Sequence, residues 1–181
     1  MNKKLKERIL NILLSEKKKE YSCHIQYVVK IAMEITKKYD VNPKIIETAC
    51  LLHDIGRGKE RGSEKHPQTG KRMAEKILED SKFNEKEKEK IYACILSHNS
   101  KNTPKSIEEQ IVRSADAGSK IEYHEAFMLM CKKTSYEERL AWGIKYLEAG
   151  FDKISITSYK KKCKPKYTSI KNIYHNTSKI I

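Results

Sequence analysis

The sequence predicts an all-α fold. Apolar residues recur at three- and four-residue spacing through most of its 181 residues, while strand-like alternation is confined to "FDKISITSY" and, more weakly, "YTSIKNIYH" near the C-terminus. Proline and glycine fall at the boundaries between the periodic stretches, as expected of helices joined by turns.

Taken in order, Leu5, Ile9, Ile12 and Leu13 mark a first helix over residues 3–15. Ser22 is a candidate cap for the second, in which Ile25, Val28, Val29, Ala32 and Ile35 form one stripe suited to a core. "YDVNPK" then turns the chain, and Pro43 opens a third helix expected to run through His53 and Asp54 and to stop at Gly56. Residues 57–65 are charged and glycine-rich, a candidate active-site loop. Further helices are expected at about 67–80, 85–98 and 104–116, the last continuing or kinking near Gly118 into 119–133, and at about 135–149. The final thirty residues combine Ser, Thr, Tyr, Ile and many lysines, which fits either an extension packed on the helical body or a partly ordered basic tail, short and extended or β-like where the alternation occurs. The expected organisation is therefore a helical domain over 1–150 and a basic C-terminal extension over 151–181.

A chain of this length can bury a full core without disulfides. The N-terminus lacks an apolar stretch of signal-peptide length, and 18 consecutive apolar residues occur nowhere, which fits a soluble, cytoplasmic protein without a membrane partner. Five widely spaced cysteines, an odd number, fit reduced thiols. The net charge of +14 would draw polyanions, either a nucleic acid or a small phosphorylated substrate. "SEKKKE" and "KFNEKEKEKI" also carry glutamates and read as solvated faces. Tyr159, Tyr167 and Tyr174 alternate with lysines in the tail, a simple pattern for single-strand binding that packing explains equally well.

The chemistry-bearing residues are His24, the doublet His53-Asp54, His66, His98 and Asp116. The doublet, His98 and Asp116 end apolar segments, and with His24 and His66 they make a set of potential metal ligands. In "HIQYVVKIAMEI", "CLLHDIGRGKE", "HPQTG", "ILSHNS" and "IVRSADA" the chain resembles the HD superfamily of metal-dependent phosphohydrolases over roughly residues 20–130. That resemblance implies an HD-domain helical bundle in which His24, His53, Asp54 and Asp116 hold a metal, with His66 and His98 matching the ligands of a second ion and Asp54 bridging the two. A mononuclear centre, with His66 and His98 contacting substrate phosphate or moving protons, is the alternative. Such a donor set suits Mn, Fe, Co, Ni or Zn better than Mg.

The implied reaction is hydrolysis of a phosphoester or phosphoanhydride, expected of a nucleotide, by metal-activated water. Arg57 is the first choice for a phosphate clamp because the preceding helix fixes it; Lys59, Arg61 and Lys65 share its loop, and Lys120 lies one turn beyond Asp116. Asp54, Arg57, His66 and His98 are thus the candidate catalytic residues. His124 and His175 match no position of the pattern. The chain lacks the Gly-Tyr-Pro element of relatives that cleave cyclic dinucleotides, and Asn99 follows His98 where those relatives have a second histidine. Alternative readings are a nucleic-acid-binding protein or nuclease using the basic surface, and a sensor on an inactive scaffold. A homodimer is compatible with the pattern.

Overall fold

The computed structural model describes residues 3–16, 19–63, 65–99 and 103–177, with the side chains of 14–16 and 19–22 outside the description. Among the described residues there are nine helices and no strand: α1 (Lys3–Glu16), α2 (Lys19–Thr36), α3 (Pro43–Leu52), α4 (His66–Leu78), α5 (Glu85–Ser97), α6 (Ile107–Glu122), α7 (His124–Met128), α8 (Tyr136–Lys153) and α9 (Thr157–Thr177). The all-α expectation is met.

Short polar side chains fix the helix starts. Asn42 accepts from the Lys44 amide ahead of Pro43, Asn84 forms a reciprocal capping box with Glu87, Ser106 accepts from the Glu109 amide, and Ser135 accepts from the Glu138 amide. Each satisfies an amide that the first helical turn leaves without an internal partner. Helix α2 starts at Lys19 rather than at a Ser22 cap. Lys19 and Glu20 are good helix formers, and the helix extends through them.

The centre of the bundle is α6, twelve of whose sixteen residues are buried. It packs against α2, α3, α5, α7, α8 and α9. Its small residues Ala115, Ala117, Gly118 and Ser119 allow that crowding. Gly118 lies beneath the ring of Tyr159, where a Cβ would stand 2.5 Å from the ring edge. Around it, Leu5, Ile9 and Leu13 of α1, Ile25, Val28, Ala32 and Ile35 of α2, and Ile45, Ile46 and Leu52 of α3 are buried in one continuous core. Each full aliphatic side chain there contributes about 1.5–3 kcal/mol of burial.

Three expected boundaries move. Helix α3 ends at Leu52, so the His53-Asp54 doublet begins the following turn instead of continuing the helix to Gly56. Helix α6 passes through Gly118 without a break and ends at Glu122, because Tyr123 leaves the helical region at φ −127 and ψ 46. The short α7 then stops at Met128, well before residue 133.

The C-terminal segment is helical and not β-like. Its Ile154-Ser155-Ile156 alternation is an extended link whose two isoleucines are buried, and the amides of Ser155 and Ile156 both donate to Ser114 Oγ of α6 at 3.0 Å. Beyond it, Tyr159 and Cys163 are buried, and Tyr167, Ile170 and Tyr174 continue the same helical stripe against the core. Lysines between these positions dilute the stripe in the sequence.

All five cysteines are free, and Cys50, Cys94 and Cys163 are buried. No helix among the described residues is long and apolar enough to cross a membrane.

Candidate metal centre

All six expected ligands come together. His24 is supplied by α2, His53 and Asp54 by the turn after α3, His66 by the first residue of α4, His98 by the residue that ends α5, and Asp116 by the middle of α6. His53 Nε2 lies 3.6 Å from Asp54 Oδ2 and 3.9 Å from Asp116 Oδ1, while His24 Nε2 is 3.3 Å from Asp116 Oδ1. On the other side, His66 and His98 place Nε2 at 3.5 and 3.4 Å from Asp54 Oδ1, and 3.2 Å from each other. Two donor clusters result, His24–His53–Asp54 and Asp54–His66–His98, each with its ligand atoms within 4.8 Å of one another. Asp54 belongs to both.

The local chain geometry explains why the imidazoles face inward. His53 and His98 each terminate a helix, and each Nδ1–H donates to the carbonyl three residues earlier, Cys50 and Ile95 respectively, at 2.7 Å. A carbonyl that the helix end leaves over thereby fixes the ring tautomer, and the Nε2 lone pair is turned toward the carboxylates. His24 is held similarly: its Nδ1 lies 3.3 Å from Ser119 Oγ, whose hydroxyl donates to the Asp116 carbonyl.

The donor set fits a cation. His53 is fully buried, its Nε2 has no hydrogen-bond partner, and lone pairs and carboxylate oxygens converge on the same space. Burial lowers His53 to a pKa of about 4 despite the opposing pull of Asp54, and burial with Arg57 beside it lowers His66 to about 4 as well. Both are neutral near pH 7, the form that binds metal. Burial opposes ionisation of the two carboxylates, but His53 and His98 hold Asp54, and Lys120 and His24 hold Asp116, below the usual carboxylate range.

His66 reaches this centre through a close crossing. A Cβ on Gly56 would run into the backbone nitrogen of Gly70 and the carbonyl of His66, so the turn after the doublet rests directly on the first turns of α4. Pro67 occupies the second position of α4 and leaves His66 first. Gly70 was not among the expected site residues. Its signal in the sequence is the pairing of one glycine three residues after His53 with another four residues after His66.

Arg57 forks Asp54, with Nε 3.1 Å from Oδ2 and Nη2 3.0 Å from Oδ1, and Lys120 Nζ lies 3.3 Å from Asp116 Oδ2. Of the rest of the loop, Arg61 and Lys65 stand exposed. The centre opens into a cavity of about 420 Å³ whose wall includes Arg57, Lys120 and also Lys153. Lys153 donates to Asn99 Oδ1 at 2.6 Å, and burial, with Lys120 nearby, lowers its pKa. Neither Lys153 nor Asn99 was anticipated. Lys153 follows Trp142, Tyr146 and Gly150 along one face of α8 at helical spacing.

The three tail tyrosines do not form a base-stacking surface. Tyr159 is buried, Tyr167 stacks on Phe151 at 4.1 Å, and Tyr174 donates its hydroxyl to His124 Nε2. His124 in turn donates from Nδ1 to the Lys120 carbonyl, a packing role.

The family model of the HD domain matches residues 21–120, which contain every ligand position described above. The chain belongs to the HD domain family. It carries the metal-ligand clusters of a metal-dependent hydrolase. Among curated proteins, this HD domain is 32% identical over 97 residues to ribonuclease Y of Borreliella burgdorferi and 34% identical over 95 residues to that of Treponema denticola. Those matches take in 52% of this chain but only 18% and 17% of the relatives' lengths. Among solved structures, Bacillus subtilis YpgQ in complex with ADP superposes with a TM-score of 0.69 at 18% identity, covering 98% of this chain and 93% of that one. An HD-superfamily hydrolase from Bacillus thuringiensis gives 0.68 at 21% identity, covering 97% and 95%. Both share the HD fold along nearly the whole chain.

Proposed function

We propose that this protein hydrolyses a phosphoester or phosphoanhydride bond of a nucleotide, with one or two divalent ions held by His24, His53, Asp54, His66, His98 and Asp116. The observation that carries the reading is Asp54, whose carboxylate serves both ligand clusters on the floor of a cavity lined by three cationic side chains. Bound ions at such a donor set supply Lewis acidity and an activated water. The mixture of imidazoles and carboxylates favours Mn, Fe, Co, Ni or Zn over Mg.

The chain's own groups would do the rest. Arg57, Lys120 and Lys153 are placed to meet phosphoryl oxygens as charge builds on them, and the planar fork of Arg57, now on Asp54, can bind two such oxygens. His66 is only partly buried and already touches Arg57 at 3.5 Å, so it stands where ligand and substrate contacts meet. The nucleotide part of the reading is supported by the ADP complex of YpgQ, which shares this fold.

The test is to purify the protein without chelators, count bound metals, and assay a nucleotide panel with Mn, Fe, Co, Ni and Mg added singly. Asp54→Ala should lose both metal and turnover while keeping its helicity, and full activity in that variant would sink the proposal.

A second reading, cleavage of RNA phosphodiesters, is favoured by the sequence match to ribonuclease Y. It predicts salt-dependent RNA binding that weakens when the exposed Lys161 and Lys164 of α9 become glutamates. Intact protein that binds no RNA at low salt would dismiss it.

A further inference from the structure

The cavity above the ligand cluster has two chemically distinct ends. Carboxylates and cations crowd one; at the other, Phe127 of α7 and Trp142 and Tyr146 of α8 form a continuous set of rings. Phe127 and Trp142 stack at 4.7 Å with 14° between planes, and Tyr146 leans on Trp142 at 4.7 Å and 37°. Phe127 is buried and forms the back of this wall, whereas the other two rings are open to the cavity. Tyr146 is 40% exposed and Trp142 half-buried, both on the same face of α8 that ends in Lys153. Gly150 sets this face in place, since a Cβ there would come within 3.1 Å of the Ala117 carbonyl, one residue from Asp116.

We infer that Phe127, Trp142 and Tyr146 form a ring-binding subsite that stacks the nucleobase of the substrate and accepts the common bases alike. The inference rests on the nucleotide reading above and specifies it. Tolerance follows from what accompanies the rings: Met130 and Ala149 offer no donor or acceptor side chain to a base edge, and the neighbouring His24 and Lys120 are turned to Asp116 at the ionic end. The amide of Asn99 and the carboxylates stand at the ionic end, where Asn99 is engaged by Lys153. Stacking alone is indifferent to base identity because every base presents a π-face, whereas discrimination needs placed donors and acceptors. A cavity of about 420 Å³ is in the range that holds a small ligand with most of its surface covered.

Trp142 is the single tryptophan of the chain, so the protein carries its own reporter. Nucleoside diphosphates of adenine, guanine, cytosine and uracil should quench its fluorescence in the as-purified protein with dissociation constants within about fivefold of one another. Inorganic pyrophosphate and ribose 5-phosphate should leave the emission unchanged. Tyr146→Ala retains the reporter and should weaken all four nucleotides by roughly tenfold. Equal quenching by pyrophosphate, no quenching by any nucleotide, or a preference above about fiftyfold for one base would each overturn the inference. Metal-dependent phosphate release from pyrophosphate or ribose 5-phosphate, measured in parallel, separates this result from the hydrolase reading. Release without nucleotide quenching removes the ring subsite and keeps the hydrolase, whereas quenching without release from any nucleotide or control keeps the subsite and removes the hydrolase.

Discussion

Gly56 and Gly70 cross backbone against backbone, with no room for a side chain on Gly56. The contact holds the turn that carries His53 and Asp54 against the helix that begins with His66. A methyl group at Gly56 cannot be relieved by rotating a side chain, because the atoms it meets belong to the main chain. Gly56→Ala should therefore destabilise the protein by about 1–3 kcal/mol or more and displace His66 from Asp54. Thermal melts together with metal counting check this, and wild-type values for both would refute it.

Ser119 connects His24 to the backbone of α6 without facing the cavity floor itself. Removing its hydroxyl should loosen the orientation of His24 while leaving every candidate ligand in the chain. Ser119→Ala is expected to lower metal affinity by roughly 10–100-fold, read by competition with a chromophoric chelator. Unchanged affinity would show that His24 is oriented by packing alone.

Acid should destabilise the metal-free protein earlier than a simple carboxylate titration would. His53 and His66 have folded pKa values of about 4, below their ordinary 6.5, so between these limits the unfolded chain binds more protons than the folded one. Stability is full above that window and falls as pH drops through it. Asp54 and Asp116, depressed in the fold, add a further loss in the same direction at lower pH. Urea midpoints of the chelator-treated protein at pH 7.0 and 4.5 are the measurement, and a midpoint that holds or rises on acidification would contradict the assignment.

Helix α9 belongs to the folded body, so truncation after Lys153 should be severely destabilising. Tyr159 and Cys163 enter the common core, and Tyr159→Ala alone should cost about 3 kcal/mol. Circular dichroism melts of the truncated and substituted proteins provide the comparison. A soluble truncated chain with an unshifted melting temperature would show that α9 merely rests on the surface.

His53, Asp54, His98 and Asp116 were legible in the sequence because each ends an apolar helical stretch, and His24 and His66 because they fall in the ordered set of motifs around them; the structure brings all six together. The ring wall was not, since Trp142 and Tyr146 four residues apart look like any amphipathic face until α7 brings Phe127 beside them. Nor was the helical C-terminus. Ile154-Ser155-Ile156 has the period of a strand, yet its amides are taken by Ser114 rather than by a neighbouring strand, a tertiary contact that no local pattern announces. Apolar periodicity running to Ile55 puts the doublet within a helix, whereas the imidazole of His53 itself takes the Cys50 carbonyl at the helix end.

The same serine links two distances that would otherwise vary independently. By holding the α8–α9 link onto α6, Ser114 secures the end of α8 at Lys153, and Gly150 lets α8 lie against the turn of α6 that bears Asp116. Trp142, Tyr146 and Lys153 thus share one rod, α8, which is seated on the helix that bears Asp116. The span between the rings and Lys153 acts as a ruler for the length of molecule the cavity admits, and lengthening or shortening that reach would require moving the rod rather than exchanging a side chain.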